Sequence, residues 1–108
     1  VGPAISSQKT PEHAIATAVA RIAATKPDGI CSLDEGRRLI PLMLPLTSDD
    51  LSPSNSQPNA KWVQRLRNIQ SNSTKGKNFI HCGYLEHVRG VGYKITPAGR
   101  QMLAALGF

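Results

Sequence analysis

The stretch NAKWVQRLRNIQSN, residues 59–72, has helical periodicity and decides the fold that we predict. Trp62, Leu66 and Ile69 recur at the i, i+4, i+7 spacing of one helix face, with Val63 at its margin. The other face is polar and contains no acidic residue. Exposed helix faces usually mix acids with bases, because opposite charges four residues apart stabilise a helix. We therefore predict an amphipathic helix whose basic face meets an anionic partner.

The polar face of this segment combines two kinds of group that contact nucleic acid. Lysine and arginine bind phosphates, while glutamine, asparagine and arginine can pair in a bidentate way with base edges. We interpret the segment as a DNA recognition helix, and the alternative is an exposed basic helix of a protein-interaction domain. The candidates for base edges are Gln64, Arg67, Asn68 and Ser71. The candidates for DNA phosphates are Lys61, Arg65, Asn72, Thr74, Lys75, Lys77 and Arg89.

The composition agrees with one small basic domain. The chain has 108 residues, a formal net charge of +6 and a pI of about 9.8, values typical of a domain that meets a polyanion. No apolar run reaches membrane-spanning length, since the longest, residues 39–46, is interrupted by two prolines. Residues 1–9 are predicted to be disordered, and their start, Val-Gly-Pro, resembles a cleavage remnant. We expect residues 10–108 to be a domain excised from a larger protein.

Capping signals and apolar periodicity divide the domain into short helices. Each main helix start is marked by a capping hydroxyl or amide, at Thr10, Ser32, Asn59 and Thr96. The predicted helices are residues 10–25, 33–40, 59–72 and 97–106, with a short helix or turn at 47–51. We predict that the last helix directs inward Met102, Leu103 and Leu106.

Two irregular segments lie between the second helix and residues 59–72. Residues 41–46 are apolar but contain two prolines, so we expect packed chain without regular structure. Residues 52–58 consist only of serine, proline, asparagine and glutamine, which predicts a loop.

Extended segments complete the predicted order of elements. Two alternating runs, residues 84–88 and 91–95, are joined by the tight Arg89-Gly90 turn and predict a β-hairpin. Residues 30–31 predict a further short strand. The order is helix, short strand, helix, turn, helix, hairpin, helix, which predicts a mainly α fold with a small β-hairpin, an α+β winged helix-turn-helix. In that fold the third helix enters the major groove and the hairpin forms a wing beside it.

Several segments together resemble a known family. They are residues 46–51, 62–69, 83–85, 89–96 and 97–100. These segments look like the N-terminal winged-helix domain of Mrr-type restriction enzymes, in which a basic helix is followed by a Gly-Leu step, an Arg-Gly-Val wing and a Gly-Arg helix. The resemblance extends to winged-helix modules attached to HNH-type and other modification-dependent nucleases. This chain departs from the pattern between Ser71 and Asn78, where it is several residues longer.

The resemblance implies a DNA-targeting module of the bacterial cytosol, fused to a nuclease domain elsewhere in the full protein. Some such modules read a methylated base, commonly methylated adenine. Reading a methyl group in duplex DNA needs an apolar or aromatic surface near the groove. The spacing of Trp62 with Leu66 and Ile69 indicates core packing instead, so methyl reading rests on the resemblance alone.

The sequence contains no recognisable active site. Its acidic residues lie mainly at helix starts, where capping and the helix dipole explain them. Cys31, Cys82, His81 and His87 lack a standard zinc spacing, and we favour two buried thiols over a disulfide bridge. We predict a non-catalytic domain that uses no metal, cofactor or small-molecule substrate and binds double-stranded DNA. Two alternatives stay open: a dimeric transcription regulator of the same fold and a protein-interaction winged helix.

Overall fold

A computed structural model describes residues 12–46, 48–51, 61–74, 76 and 78–108. Its helices are α1 (Glu12–Ala24), α2 (Leu33–Met43), α3 (Ser48–Leu51), α4 (Lys61–Ser71) and α5 (Pro97–Ala105). Its strands are β1 (Ile30–Ser32), β2 (Leu85–Val88) and β3 (Gly92–Ile95). The predicted start of α1 at Thr10-Pro11, the loop 52–58 and the cap Asn59 lie outside the described residues.

Helix α1 lies at the centre of the core. It packs against α2, α4, α5 and the strands β1 and β3. Four of its buried residues are alanines, and their short side chains let neighbouring elements approach closely on several sides. Ile15, Val19 and Ile22 fill the space that remains between those elements.

The strands form one antiparallel sheet in the order β1-β3-β2. Cys31 and His87 both pair with Tyr93, so β3 is the middle strand. Gly92 is required where β1 crosses close to β3, because a β-carbon there would overlap the carbonyl oxygen of Cys31. The chain is thus mostly helical with a small three-stranded sheet, which confirms the predicted α+β class, and β1 extends the predicted hairpin.

Helix α2 is longer than predicted. Its capping box is confirmed, since the Ser32 hydroxyl accepts the Glu35 N–H at 3.1 Å. The helix continues through Pro41, however, because the Leu44 N–H still donates to the Ile40 carbonyl at 3.0 Å and closes the last turn. The expectation that residues 41–46 pack irregularly is therefore wrong for residues 41–43.

Packing of the same segment is also only partly as expected. Pro41 lies on the exposed side of α2, where its ring faces solvent. Proline has no backbone N–H, so it donates no hydrogen bond to the preceding turn. Leu42 follows it and is 81% exposed. Met43, Leu44 and Leu46 are half-buried and pack against the core.

Helix α5 begins as predicted and ends earlier. The Thr96 hydroxyl accepts the Gly99 N–H at 3.0 Å, and Leu103 is buried. Leu106 was predicted to point inward and is 57% exposed. The chain turns at Gly107, whose φ is +90°, and the Phe108 N–H donates back to the Leu103 carbonyl. The inward stripe therefore stops at Leu103, and Leu106 is left at the outer end of the helix.

The two cysteines have different environments. Both are free, and Cys31 is buried in β1 as predicted. Cys82 is exposed, so the prediction of two buried thiols is wrong for this residue. Cys82 lies in a series of turns, residues 78–83, in which Phe79 and Ile80 pack against the core while the residues after them face solvent.

Candidate nucleic-acid interface

Helix α4 buries the apolar stripe that the sequence predicts. Trp62, Val63, Leu66 and Ile69 all lie in the core. Trp62 is thus a packing residue, and its indole is not displayed on the surface. The polar residues of the helix lie on its remaining sides and range from half-buried to exposed.

Two side chains that were predicted to bind phosphates are bonded instead to acidic residues of other elements. The Arg65 guanidinium lies 2.6 Å from the carboxylate of Asp50 in α3, which is completely buried. The Asn72 amide donates to the Glu12 carboxylate of α1 at 2.8 Å. Helix α4 itself has no acid, but the tertiary structure supplies acids to part of its polar face. Arg65 and Asn72 therefore serve the fold.

Asn78 fixes the end of α4 and was not singled out by sequence reasoning. Its buried amide nitrogen donates to the Glu12 carboxylate and to the Ile69 carbonyl, both at 2.9 Å. Its oxygen accepts the N–H groups of Ile80 and His81 at 2.8 and 3.3 Å. A polar residue beside an apolar pair was the only sequence signal. Asn78 joins α1, α4 and the turns before the hairpin.

The remaining predicted contacts differ in exposure. Arg67, Ser71, Thr74 and Arg89 are exposed, and Lys61, Gln64 and Asn68 are half-buried. Lys75 and Lys77 lie outside the described residues. Arg67 and Ser71 are therefore the base-edge candidates with the best access, and Arg89 lies at the tip of the hairpin.

Gln64 has an unusual environment for a surface contact. Its side-chain oxygen is buried and has no hydrogen-bond partner among the described residues. A buried acceptor without a partner costs about 1–3 kcal/mol relative to solvent. In this conformation the Gln64 oxygen is not available to a base edge, so a bidentate contact through this amide would need a change of rotamer.

A groove joins α4 to the start of α2 and to the tip of the hairpin. It has a volume of about 310 Å³. The residues on its walls include Val63 and Arg67 of α4, Asp34 and Arg37 of α2, and Gly90 and Val91 of the tip. The tip is tied to α2 because the Leu33 N–H donates to the Val91 carbonyl at 3.0 Å.

Arg37 of α2 also lies in this groove. Its guanidinium is 2.6 Å from the Asp34 carboxylate one turn earlier, and both residues are exposed. The groove thus presents arginines from two helices, Arg37 and Arg67. Sequence reasoning missed it because the pairing of β1 with β3, which brings the tip to α2, has no local signature.

Tyr93 connects the sheet to α4. Its hydroxyl donates to the Leu66 carbonyl at 2.7 Å and accepts the Gln70 N–H at 3.2 Å. Burial raises the pKa of Tyr93 to about 12, with a smaller raising effect from Glu12. The hydroxyl therefore keeps its proton at neutral pH and remains a donor to α4.

The described part of the chain has no group of three or more His, Cys, Asp or Glu side chains placed to hold a metal ion. Nor does any helix within it have the length and apolarity that crossing a membrane requires. No family model matches the chain, and neither a curated protein nor a solved structure matches it.

Proposed function

We propose that this chain is a winged-helix domain that binds double-stranded DNA. Helix α4 would lie in the major groove, and the tip of the β2–β3 hairpin would contact the backbone or the adjacent minor groove. In this proposal Arg67, Asn68 and Ser71 contact base edges, while Lys61, Thr74 and Arg89 contact phosphates.

The observation that carries the proposal is the shared groove between α4 and the hairpin tip. Arg67 and Gly90 line the same groove, so α4 and the hairpin tip are close enough for one duplex to contact both. Arg37 and Arg67 both line this groove, and the whole chain carries a formal charge of +6. A polyanion neutralises such a surface and releases its counterions.

The parent activity is a further step of the same proposal. The resemblance to the domain of Mrr-type restriction enzymes supports a targeting module for a nuclease, one that reads a modified base, with methylated adenine as the first candidate. The order helix, strand, helix, helix, helix, hairpin and helix is compatible with that family's domain.

A binding titration with matched duplexes tests the proposal. The duplexes carry no modification, methylated adenine or methylated cytosine, at about 150 mM salt. A preference of about tenfold for one modified duplex, equal to about 1.4 kcal/mol, supports a modification-reading module. Equal but salt-sensitive binding to all duplexes supports a backbone binder or a regulator whose site was not in the panel. No binding contradicts a DNA function and favours the protein-interaction alternative.

Variants of single arginines separate base contacts from phosphate contacts. Arg67→Ala should weaken binding by about 1–3 kcal/mol for some sequences only, because a base contact is lost. Arg89→Ala should weaken all sequences alike and lower the salt slope, because a phosphate contact is lost. Arg100→Ala is the control, since it removes the same charge from α5, outside the groove. If all three variants act alike on every duplex, the base-reading assignment is wrong.

A further inference from the structure

The Tyr93 hydroxyl, on the hairpin, forms hydrogen bonds with backbone groups of α4. The residue is 2% exposed and belongs to the middle strand. Its two closest partners are the Leu66 carbonyl and the Gln70 N–H. Residues four apart are the ones whose carbonyl and N–H pair in an α-helix. The hydroxyl thus bridges a donor and an acceptor of one helical turn, with the Arg67 carbonyl 3.4 Å away.

The backbone of Tyr93 is held from both sides. It pairs with Cys31 of β1 and with His87 of β2. The His87 ring also lies against its own ring, with centroids 5.8 Å apart. The hydroxyl therefore has a fixed position relative to the sheet. Its hydrogen bonds hold the turn of α4 between Leu66 and Gln70 in place against the sheet.

This turn carries the groups proposed to read bases. Arg67 and Asn68 lie within it, and Ser71 follows directly. Side chains that enter the ladder of a helix bend it or set its local direction. A rigid connection also lowers the ordering cost of binding, because two contacting elements are already aligned before the ligand arrives.

We propose that Tyr93 is a positioning residue that sets the angle between α4 and the hairpin, so that base-edge contacts and the hairpin tip engage one duplex together. This inference rests on the proposed DNA-binding function. A phenylalanine ring would fill the same core space, so the hydroxyl contributes only through its bonds to α4.

The test compares Tyr93→Phe with Tyr84→Phe. The chain has two tyrosines, and Tyr84 is half-buried with its ring edge against Phe79 at a centroid distance of 5.4 Å. The preferred duplex is first selected from a randomised library with the unaltered protein. Affinity for that duplex and for a scrambled duplex is then measured across salt concentrations, at a temperature where circular dichroism shows each variant folded.

The expected result is a loss of preference without a loss of phosphate contacts. Tyr93→Phe should lower the ratio of the two affinities by about tenfold and leave the salt slope unchanged, since its cations remain. Tyr84→Phe should keep the ratio within about twofold. If Tyr93→Phe keeps the affinity ratio of the unaltered protein, the inference is overturned and the proposed function stands. If the unaltered protein binds all duplexes without preference, the inference is also overturned. If the unaltered protein binds no duplex, both the inference and the proposed function are overturned.

A second measurement applies if Tyr93→Phe does not fold. Fluorotyrosine incorporated into the Tyr84→Phe variant labels Tyr93 alone. Fluorine on the ring makes the hydroxyl a stronger donor and a weaker acceptor, so it alters both hydrogen bonds to α4 and keeps the ring in the core. The ratio of the two affinities should then change by about twofold or more from that of the Tyr84→Phe variant with ordinary tyrosine. A tyrosine that only packs in the core would leave this ratio unchanged, and that result overturns the inference.

Discussion

The Arg65 guanidinium and the Asp50 carboxylate form an ion pair at 2.6 Å in which the acid is completely buried and the base is 14% exposed. The pair joins the short α3 to α4 beside the core stripe, since Arg65 follows Trp62 by three residues and precedes Ile69 by four. A cation that faces a buried carboxylate contributes to stability, because removal of one partner leaves the other charge in a poorly solvated place.

Arg65→Met should therefore destabilise the domain, by about 3 kcal/mol in the free energy of unfolding. Arg38→Met in α2 removes an exposed guanidinium and should change that free energy by about 0.5 kcal/mol or less. Urea denaturation of the two variants gives the comparison. Equal losses would show that Arg65 is an ordinary surface residue and would return it to the set of phosphate contacts.

Gln64→Met should separate stability from binding. The substitution replaces a buried oxygen that has no partner among the described residues, so unfolding should cost about 1 kcal/mol more. DNA affinity should stay within about twofold, because Gln64 is not among the base contacts proposed for α4. Gln70→Met is the matched control, because its side chain is exposed on the same helix and its loss should leave stability unchanged. Thermal denaturation and duplex titration of both variants check the prediction; a destabilised Gln64→Met would contradict it.

Alkaline pH should destabilise the domain through Cys31. Burial raises the pKa of this thiol from its ordinary 9.0 to about 11, and Glu35 adds to the increase. Because the pKa of Cys31 is higher in the folded state than in the unfolded state, the protonated thiol contributes fully to stability below pH 9. This contribution is lost as the pH rises toward 11. Unfolding curves from pH 8 upward should therefore show falling stability, and Cys31→Ala should flatten the decline.

The reactivity of the two thiols provides an independent check. Cys82 is exposed and should react at once with a disulfide reagent at pH 8. Cys31 should react only when the domain opens, because it is buried and burial raises its pKa well above its ordinary value. Cys82→Ser isolates the slow thiol. Fast labelling of Cys31 in that folded variant would contradict its burial.

Two helical glycines should respond differently to alanine. A β-carbon at Gly99 in α5 would overlap the Tyr84 carbonyl oxygen, a backbone atom that cannot move aside. Gly99→Ala should therefore lower stability by about 2 kcal/mol, although alanine usually favours a helix by about 1 kcal/mol over glycine.

Gly36 in α2 is the control for this substitution. Its β-carbon would meet the end of the Leu66 side chain at 3.3 Å, and such an atom can shift by a few tenths of an ångström. Gly36→Ala should stay within about 1 kcal/mol of the unaltered protein in thermal denaturation. Similar behaviour of both variants would mean that the start of α5 does not pack tightly against Tyr84.

Local patterns in the sequence were sufficient for most of the elements. The stripe of Trp62, Leu66 and Ile69 predicts α4, and the capping hydroxyls of Ser32 and Thr96 predict two helix starts that the structure confirms. These features act within one or two turns, so periodicity and spacing reveal them. The predicted burial of Leu106 and Cys82 is wrong, because burial at the end of an element depends on which distant residues pack there.

The candidate interface depended on relations that no local pattern contains. Asp50 meets Arg65 across 15 residues, Tyr93 meets Leu66 across 27, and Asn78 meets Glu12 across 66. The sequence by itself determined which face of α4 is apolar, because helical periodicity is a property of neighbouring residues. Only the tertiary structure decided which polar groups remain available to a ligand, since that depends on which distant acids and hydroxyls the chain path brings against them.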